Sequence, residues 1–343
     1  MSDKRFIFSL LITVLLLLMI APACAQASGK IKVVCTTSVL MDPVTFIGGH
    51  NVEAVSIADP ALCPNLQSDI IPSRIQLNAN FIKNADLFVA YNDTNDQEYN
   101  IPAVANYMSA NGYGNVTWQC ITNSEGWNTP DEAKGVAGQV KGWLEAKDPA
   151  NKSYYEQNYG KYCSLLDAVT PAAAEKAQLN NTGAIVMMWQ MDPVQNWLDM
   201  NVVDFYAPEF VMGGSKTPDK IVDAINANPD KYRNVSYIIE NMQSGELAKG
   251  IEEALKDHGI NAKRVIFTNF PDSAPNTTTM ADVLNYNKQL VLGQSASPTP
   301  AAAGTATAVP TASPAATPSP IGMEVLVGGL LMGAVIAVMG KKA

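Results

Sequence analysis

The residues best suited to binding a soft metal or attacking a substrate are few in this sequence. The two histidines, His50 and His258, lie far apart, which excludes a histidine-rich metal site. Of the five cysteines, four lie beyond residue 27: Cys35, Cys63, Cys120 and Cys163. In an exported protein, four cysteines predict two disulfide bonds, and the sequence does not choose among the three pairings.

Motifs of common catalytic sites are missing from the sequence. It contains no Gly-x-Ser-x-Gly nucleophile elbow, no Gly-rich phosphate loop and no Cys–His pair at a catalytic spacing. We therefore expect a binding protein and not an enzyme. The net charge of −9 argues against a nucleic acid or an anionic lipid surface as the partner.

A methionine-rich segment surrounds Trp189, with Met187, Met188 and Met191 beside it. Thioether sulfur can bind copper, but methionine is also a common core residue, and the position of Met187 within a predicted strand favours packing. Trp189 and Met191 lie near the end of that strand. For these two, core packing and a position lining a ligand cleft both stay open.

The N-terminus has the order of a secretory signal peptide. Two cationic residues precede an apolar run over residues 6–20, and small residues follow, so residues 1–27 are predicted to be a leader. Lipid attachment at Cys24 is the alternative, and Ala21 is a poor residue for that signal. The predicted body is therefore exported.

The C-terminus predicts a membrane tether. Residues 295–320 are almost entirely Ala, Thr, Pro, Ser and Gly, which is typical of an unfolded stalk. Residues 321–340 are long and apolar enough for a single transmembrane helix, and Lys341 and Lys342 should stay on the cytoplasmic side. The alternative, a tail removed for a lipid anchor, fits poorly with the Lys-Lys-Ala end. The body is thus expected on the extracellular side of the cell membrane.

N-glycosylation acceptors support an extracellular body. The sequence has six Asn-x-Ser/Thr sites, which begin at Asn92, Asn115, Asn151, Asn180, Asn234 and Asn276. Such sites also arise by chance, so they support the location without deciding it.

Apolar runs alternate with helix-like segments along the body. Strands are predicted at residues 32–37, 52–57, 85–91, 116–121, 184–189, 202–206, 235–240 and 264–268. Helices are predicted at residues 42–47, 74–84, 103–110, 193–200, 218–227, 244–257 and 280–292, and over most of residues 132–179. This alternation predicts an α/β fold of two lobes, each with a mostly parallel sheet flanked by helices. Because parallel sheets bind ligands at the carboxyl ends of their strands, one site between the lobes is expected.

Several segments, in this order and spacing, match a known family. They are Val34-Cys-Thr-Thr-Ser-Val-Leu with Gly48-Gly49, Asp59-Pro-Ala-Leu-Cys-Pro-Asn-Leu-Gln-Ser-Asp-Ile, Asn84-Ala-Asp-Leu, Leu144-Glu-Ala-Lys-Asp-Pro-Ala-Asn-Lys-Ser-Tyr-Tyr, Ile266-Phe-Thr-Asn, and Asn285-Tyr-Asn-Lys-Gln-Leu. In these segments the chain resembles the metal-type solute-binding proteins of ABC importers, which carry zinc or manganese. The resemblance implies lobes at residues 28–147 and 181–294, joined by a long linking helix over residues 148–180.

The resemblance also assigns four metal positions, and none of them holds histidine here. The first falls on Ala61 after Asp59-Pro60, and the second on Glu125 before Trp127. The third falls on Gln190, with Asp192 as the alternative, and the fourth on Asn269. Glu125, Asp192 and Asn269 would then be the metal ligands.

Two further residues are candidates for contact with the ligand. Trp189 lies beside the third metal position, and Cys63 could replace the lost first ligand as a soft donor. A disulfide bond is the alternative for Cys63, and it is the one that we favour.

The loss of the histidines changes the expected cargo. Zinc prefers imidazole and thiolate, whereas amide and carboxylate oxygens suit a hard cation or a small polar ligand. The resemblance therefore implies a solute-binding protein that passes a divalent metal ion or a small polar ligand to an ABC permease and its ATPase. The alternative is a surface adhesion or structural protein that keeps this fold without transport.

Overall fold

The computed structural model describes residues 29–122 and 126–293. Its first four-stranded sheet is entirely parallel and has the order β2-β1-β3-β4. The strands are β1 (Ile31–Cys35), β2 (Val52–Ser56), β3 (Leu87–Ala90) and β4 (Trp118–Cys120).

A second parallel sheet repeats this arrangement, with the order β6-β5-β7-β8. Its strands are β5 (Gly183–Met187), β6 (Asn201–Tyr206), β7 (Val235–Asn241) and β8 (Lys263–Phe267). We call the first sheet with its helices lobe one and the second sheet with its helices lobe two. All eight strands coincide with predicted ones, and the two-lobed α/β fold is confirmed.

Ten α-helices flank the sheets in the described residues. They are α1 (Ser38–Gly48), α2 (Ile71–Leu77), α3 (Ala79–Ile82), α4 (Ile101–Ala110), α5 (Pro130–Lys147), α6 (Lys152–Ala168), α7 (Ala173–Leu179), α8 (Pro218–Ala227), α9 (Lys249–Asp257) and α10 (Met280–Leu292). The helix predicted over residues 74–84 is divided in two at Asn78. The helix predicted over residues 193–200 is a single π-turn, Pro193–Trp197.

Each central strand sends alternate side chains to opposite cores, as the two-residue period of a strand requires. In β1, Val33 and Cys35 face a core that both lobes share, and Val34 faces a core of lobe one alone. In β5, Val186 faces the shared core and Ile185 faces a core of lobe two alone. The shared core therefore joins the two lobes through apolar packing.

The segment that links the lobes is not the single helix predicted for residues 148–180. Helix α5 ends at Lys147 because Asp148, which precedes Pro149, takes a non-helical backbone with φ −136° and ψ 76°. Helices α5 and α6 pack against each other and against both α1 of lobe one and α10 of lobe two. Pro171 separates α6 from α7. The linker is thus a helical hairpin followed by a short helix.

The two predicted disulfides are wrong, since all four described cysteines are unpaired. Cys35 and Cys120 end β1 and β4, and β3 lies between these strands. Strands lie about 4.8 Å apart, so this separation exceeds the Cα–Cα distance that a disulfide allows. Cys63 is buried in a loop after β2, and Cys163 lies on α6.

The predicted leader, stalk and membrane span lie outside the described residues and stay predictions. Within residues 29–122 and 126–293, no helix combines the length and the apolar character that a membrane span requires.

Candidate functional site

The candidate site lies where the carboxyl ends of strands from both sheets meet. In the order β2-β1-β3-β4 the chain changes direction between β1 and β3, and in the second sheet it changes direction between β5 and β7. Ligands of open α/β sheets bind at such switch points. We call the space between the two strand ends the interlobe cleft.

Hydrogen bonds close the cleft from one lobe to the other. Ser38 Oγ donates to the carbonyl oxygen of Pro271 at 2.9 Å, and Gln243 Nε2 donates to that of Pro60 at 2.9 Å. Trp127 Nε1 donates to the carbonyl oxygen of Asn269, also at 2.9 Å. The lobes therefore meet through specific polar contacts as well as the shared core.

A cavity of about 20 Å³ lies in the cleft on the side of lobe one, which is room for about one water-sized group. Its charged lining residues are Asp59, Asp93 and Asp96, and no lysine, arginine or histidine of the described chain lines it. The cavity is therefore a region of negative charge.

Asp96 is fully buried after the loop that follows β3, where a π-turn (Asp96–Asn100) begins. Its Oδ2 accepts hydrogen bonds from Thr36 Oγ1 at 2.7 Å and from the backbone N–H groups of Tyr91 and Asn92. Its Oδ1 accepts from Asn100 Nδ2 at 2.9 Å. Burial and the nearby Asp93 carboxylate raise the pKa of Asp96 to about 6, against these hydrogen bonds. Asp96 thus joins the ends of β1 and β3.

The loop after β2 is held rigidly at the mouth of the cavity. Buried Gln67 accepts from the backbone N–H of Asp59 at 2.7 Å and donates to the carbonyl oxygens of Asp59 and Leu62. The Asp59 carboxylate pairs with Arg74 at 3.4 Å. Ala61, at the first metal position of the resemblance, lies exposed on this loop and donates its N–H to Asp59 Oδ1.

Lobe two brings Gln190 and Asn269 into direct contact, although β7 separates their strands. Gln190 lies in the turn after β5, Asn269 lies just after β8, and both are buried. Gln190 Nε2 donates to Asn269 Oδ1 at 2.6 Å. The structure therefore places two of the predicted site residues together at the cleft.

Gln243 is a further polar residue at the cleft. It follows β7 and is buried, and besides Pro60 it donates to Thr268 Oγ1 at 3.2 Å. Glu240, three residues earlier, is buried in an ion pair with Arg264 and plays a structural part. The signal for Gln243 was its position after a buried strand of lobe two.

None of the predicted site residues in the described part of the chain lines the cavity, Gln190 and Asn269 included. Asp192 is exposed and accepts from Asn196 at 2.6 Å, and Trp189 packs on the core of lobe two alone. Cys63 is buried beside Pro64, which does line the cavity. Glu125 lies outside the described residues.

Three aromatic rings form the wall of the cavity that spans both lobes. Tyr91 of lobe one and Trp127 have ring centroids 4.6 Å apart, and Trp127 and Phe270 of lobe two have centroids 5.8 Å apart. All three rings line the cavity. Trp127 thus connects the lobes through both its ring and its indole N–H.

Comparison with known proteins agrees with this arrangement. The model of the ZnuA family, described as zinc-uptake complex component A, periplasmic, matches residues 33–290. The chain belongs to this family. Among curated protein sequences, no significant match to the chain is found.

Solved structures show the same fold as this ZnuA-family chain. A crystal structure of ZnuA has 18% sequence identity and a TM-score of 0.55, and the match covers 77% of this chain and 99% of that one. A periplasmic metal binding protein from Candidatus Liberibacter asiaticus has 16% identity, coverages of 77% and 99%, and a TM-score of 0.56. The periplasmic zinc binding protein TroA from Treponema pallidum has 12% identity, coverages of 77% and 99%, and a TM-score of 0.54.

The ZnuA-family assignment agrees with the predicted extracytoplasmic location, because the family is periplasmic by its description. The site chemistry of this member consists of oxygen donors. Within residues 29–122 and 126–293, no three His, Cys, Asp or Glu side chains converge as a metal cluster would require. The described part of the cleft offers carboxylate, amide and hydroxyl oxygens.

Proposed function

We propose that the protein is the extracytoplasmic solute-binding component of an ABC importer, and that it captures a hard cation in the interlobe cleft. The observation that carries this proposal is the negatively charged cavity at the strand ends of lobe one, which Phe270 and hydrogen bonds from lobe two close on the other side. Membership of the ZnuA family supports the importer role. The partners would be an ABC permease and its ATPase.

The ligand atoms available at the site determine which class of solute it can bind. Zinc sites in proteins are built from imidazole and thiolate, with carboxylate as a third choice. The three described positions that the resemblance assigned to metal hold Ala61, Gln190 and Asn269, which supply no nitrogen base and no sulfur. Amide and carboxylate oxygens instead suit calcium, magnesium or manganese. We therefore propose a hard divalent cation, with a small polar solute as the competing cargo.

Calorimetric titration of the purified full chain with Ca²⁺, Mg²⁺, Mn²⁺ and Zn²⁺ tests this proposal. We expect binding of a hard cation at one site per chain and weaker binding of Zn²⁺. Tight stoichiometric Zn²⁺ binding would show that the cargo class is wrong. The Glu125→Ala variant, measured beside the wild type, tests whether that carboxylate takes part.

Transport needs its own test, because binding alone does not distinguish an importer from a surface protein with the same fold. Cells without the gene should accumulate less of the bound cation, and the wild-type gene should restore its uptake. Equal cation content in both strains would favour the adhesion or structural alternative. Anchoring through residues 321–340 stays part of the proposal and predicts that the protein fractionates with membranes.

A further inference from the structure

The cavity in lobe one has a feature that the family positions do not explain. Three buried side-chain oxygens of its lining residues have no hydrogen-bond partner in the described part of the chain: Thr37 Oγ1, Asn95 Oδ1 and Asn100 Oδ1. All three atoms can accept hydrogen bonds or bind a cation. An unpaired buried polar atom costs stability, so its presence beside a cavity points to a ligand.

The contact with Asp96 determines which atom of the Asn100 amide is unpaired. Asn100 is 4% exposed, and its Nδ2 donates to the Asp96 carboxylate at 2.9 Å. An ionised carboxylate has no proton to donate, so Asp96 Oδ1 can only accept from the Asn100 amide. The amide therefore cannot be turned over, and it is the oxygen that is left without a partner.

The carboxylates around these oxygens favour the binding of a cation. Asp59, Asp93 and Asp96 line the same cavity, and the Arg74 guanidinium pairs with Asp59 alone. Asp93 Oδ1 accepts from the backbone N–H of Asp96 at 2.9 Å, so the acidic loop is already arranged. The volume of about 20 Å³ admits a monatomic ion and excludes an organic solute of drug size.

We propose that Thr37, Asn95 and Asn100 form a cation subsite in the wall of lobe one, separate from the four positions that the family resemblance assigns. Ca²⁺ is the ion that this oxygen set fits best, because it takes six to eight oxygen ligands, including neutral amide oxygens and water. The inference deepens the proposed function and rests on it. The cation would be held from lobe one, and Trp127 and Phe270 would complete the wall from the interlobe side.

The Thr37→Val variant of the full chain is the sharpest test. The Thr37 hydroxyl has no partner in the described structure. Thr37 is the N-cap residue of α1 but makes no side-chain capping bond, so valine of the same shape removes no protein hydrogen bond. We expect the Kd for Ca²⁺ to rise at least tenfold while the melting temperature without Ca²⁺ stays equal or rises. Thr182→Val, which lies outside the cleft and loses a bond to Gln178, is the matched control and should leave the Kd unchanged.

Asn95→Asp should change the affinity for Ca²⁺ in the opposite direction. It keeps the ligand oxygen and adds a negative charge, so Ca²⁺ should bind several-fold more tightly than to the wild type. If the wild type binds Ca²⁺ or another hard cation but both variants keep its Kd, the subsite is wrong and the proposed function stands. If no cation binds the wild type, both proposals are overturned.

Discussion

Gln190 Nε2 donates a 2.6 Å hydrogen bond to Asn269 Oδ1, which joins the ends of β5 and β8 across the intervening β7. The family resemblance placed both residues at metal positions, the third and the fourth. The bond couples the two buried amides, so lobe two places neutral amide groups at the carboxyl ends of its strands. Their oxygens and N–H groups differ from the imidazoles of a zinc site in both charge and softness.

Replacing Asn269 should therefore cost stability. Asn269→Ala leaves the buried Gln190 amide without its partner, and an unpaired buried polar group costs about 1–3 kcal/mol. The free energy of unfolding, measured by denaturant titration, should fall by about that amount. Asn261→Ala, at an exposed position, is the control. Equal denaturation midpoints for the two variants would contradict the structural role of this pair.

Asp42 should make stability depend on pH. This buried carboxylate on α1 accepts from Tyr162 Oη at 2.6 Å and from the backbone N–H of Met280 at 2.8 Å, so it joins lobe one to α6 and to the start of α10. Burial, with smaller contributions from Asp282 and Asp272, raises its pKa from 3.8 to about 7. The folded state thus holds this proton more tightly than the unfolded chain does.

The direction of the pH dependence follows from the linkage between proton binding and folding. A raised carboxyl pKa contributes stability that is complete below about pH 4 and is lost as the pH rises to about 7. One pKa unit corresponds to about 1.4 kcal/mol, so the full effect is on the order of 4 kcal/mol. In Asp42→Asn this loss should disappear, and the stability of the variant relative to the wild type should increase between pH 4 and pH 7. Parallel stability curves for the two proteins would rule out the assignment.

Gly183 should not tolerate a side chain. A Cβ atom there would lie 2.4 Å from the backbone oxygen of Asn234, which cannot move without disturbing the pairing of β5 with β7. Overpacking of this kind costs about 1–3 kcal/mol, so Gly183→Ala should lower the unfolding free energy by at least that much. Gly142→Ala, on the exposed face of α5 with no atom nearby, should instead raise it by about 0.5–1 kcal/mol. Similar effects of both changes would argue against the close approach at Gly183.

The cysteines should behave as free thiols. Without reductant, the denatured mature protein should react with a thiol reagent at all four positions, Cys35, Cys63, Cys120 and Cys163. In the native protein, buried Cys35 should react slowest, because burial raises its pKa well above the usual value. Mass spectrometry of alkylated peptides measures each site. Any peptide pair linked through two of these cysteines would restore the disulfide prediction.

The alternation of apolar runs with helical segments predicted all eight strands, since each run is short, apolar and bounded by turn residues. The helices over residues 218–227 and 280–292 were also correct to the residue. The prediction of a single linking helix was wrong because the composition of this segment favours helix throughout. The breaks come from the restricted backbone of the residues that precede Pro149 and Pro171. The prediction of two disulfides was wrong because the number of cysteines does not show which strands are neighbours, and therefore which cysteines lie close together.

For the site, the sequence determined which residues follow each strand, and hence that Gln190 and Asn269 lie at the carboxyl edge of lobe two. Only the tertiary structure decided that they bond to each other, that Gln243 reaches Pro60, and that Asp192 and Trp189 do not line the cavity. The reason is physical: periodicity and turn residues act over a few neighbours along the chain. The order of strands and the contacts between lobes depend on packing between residues that are distant in the sequence.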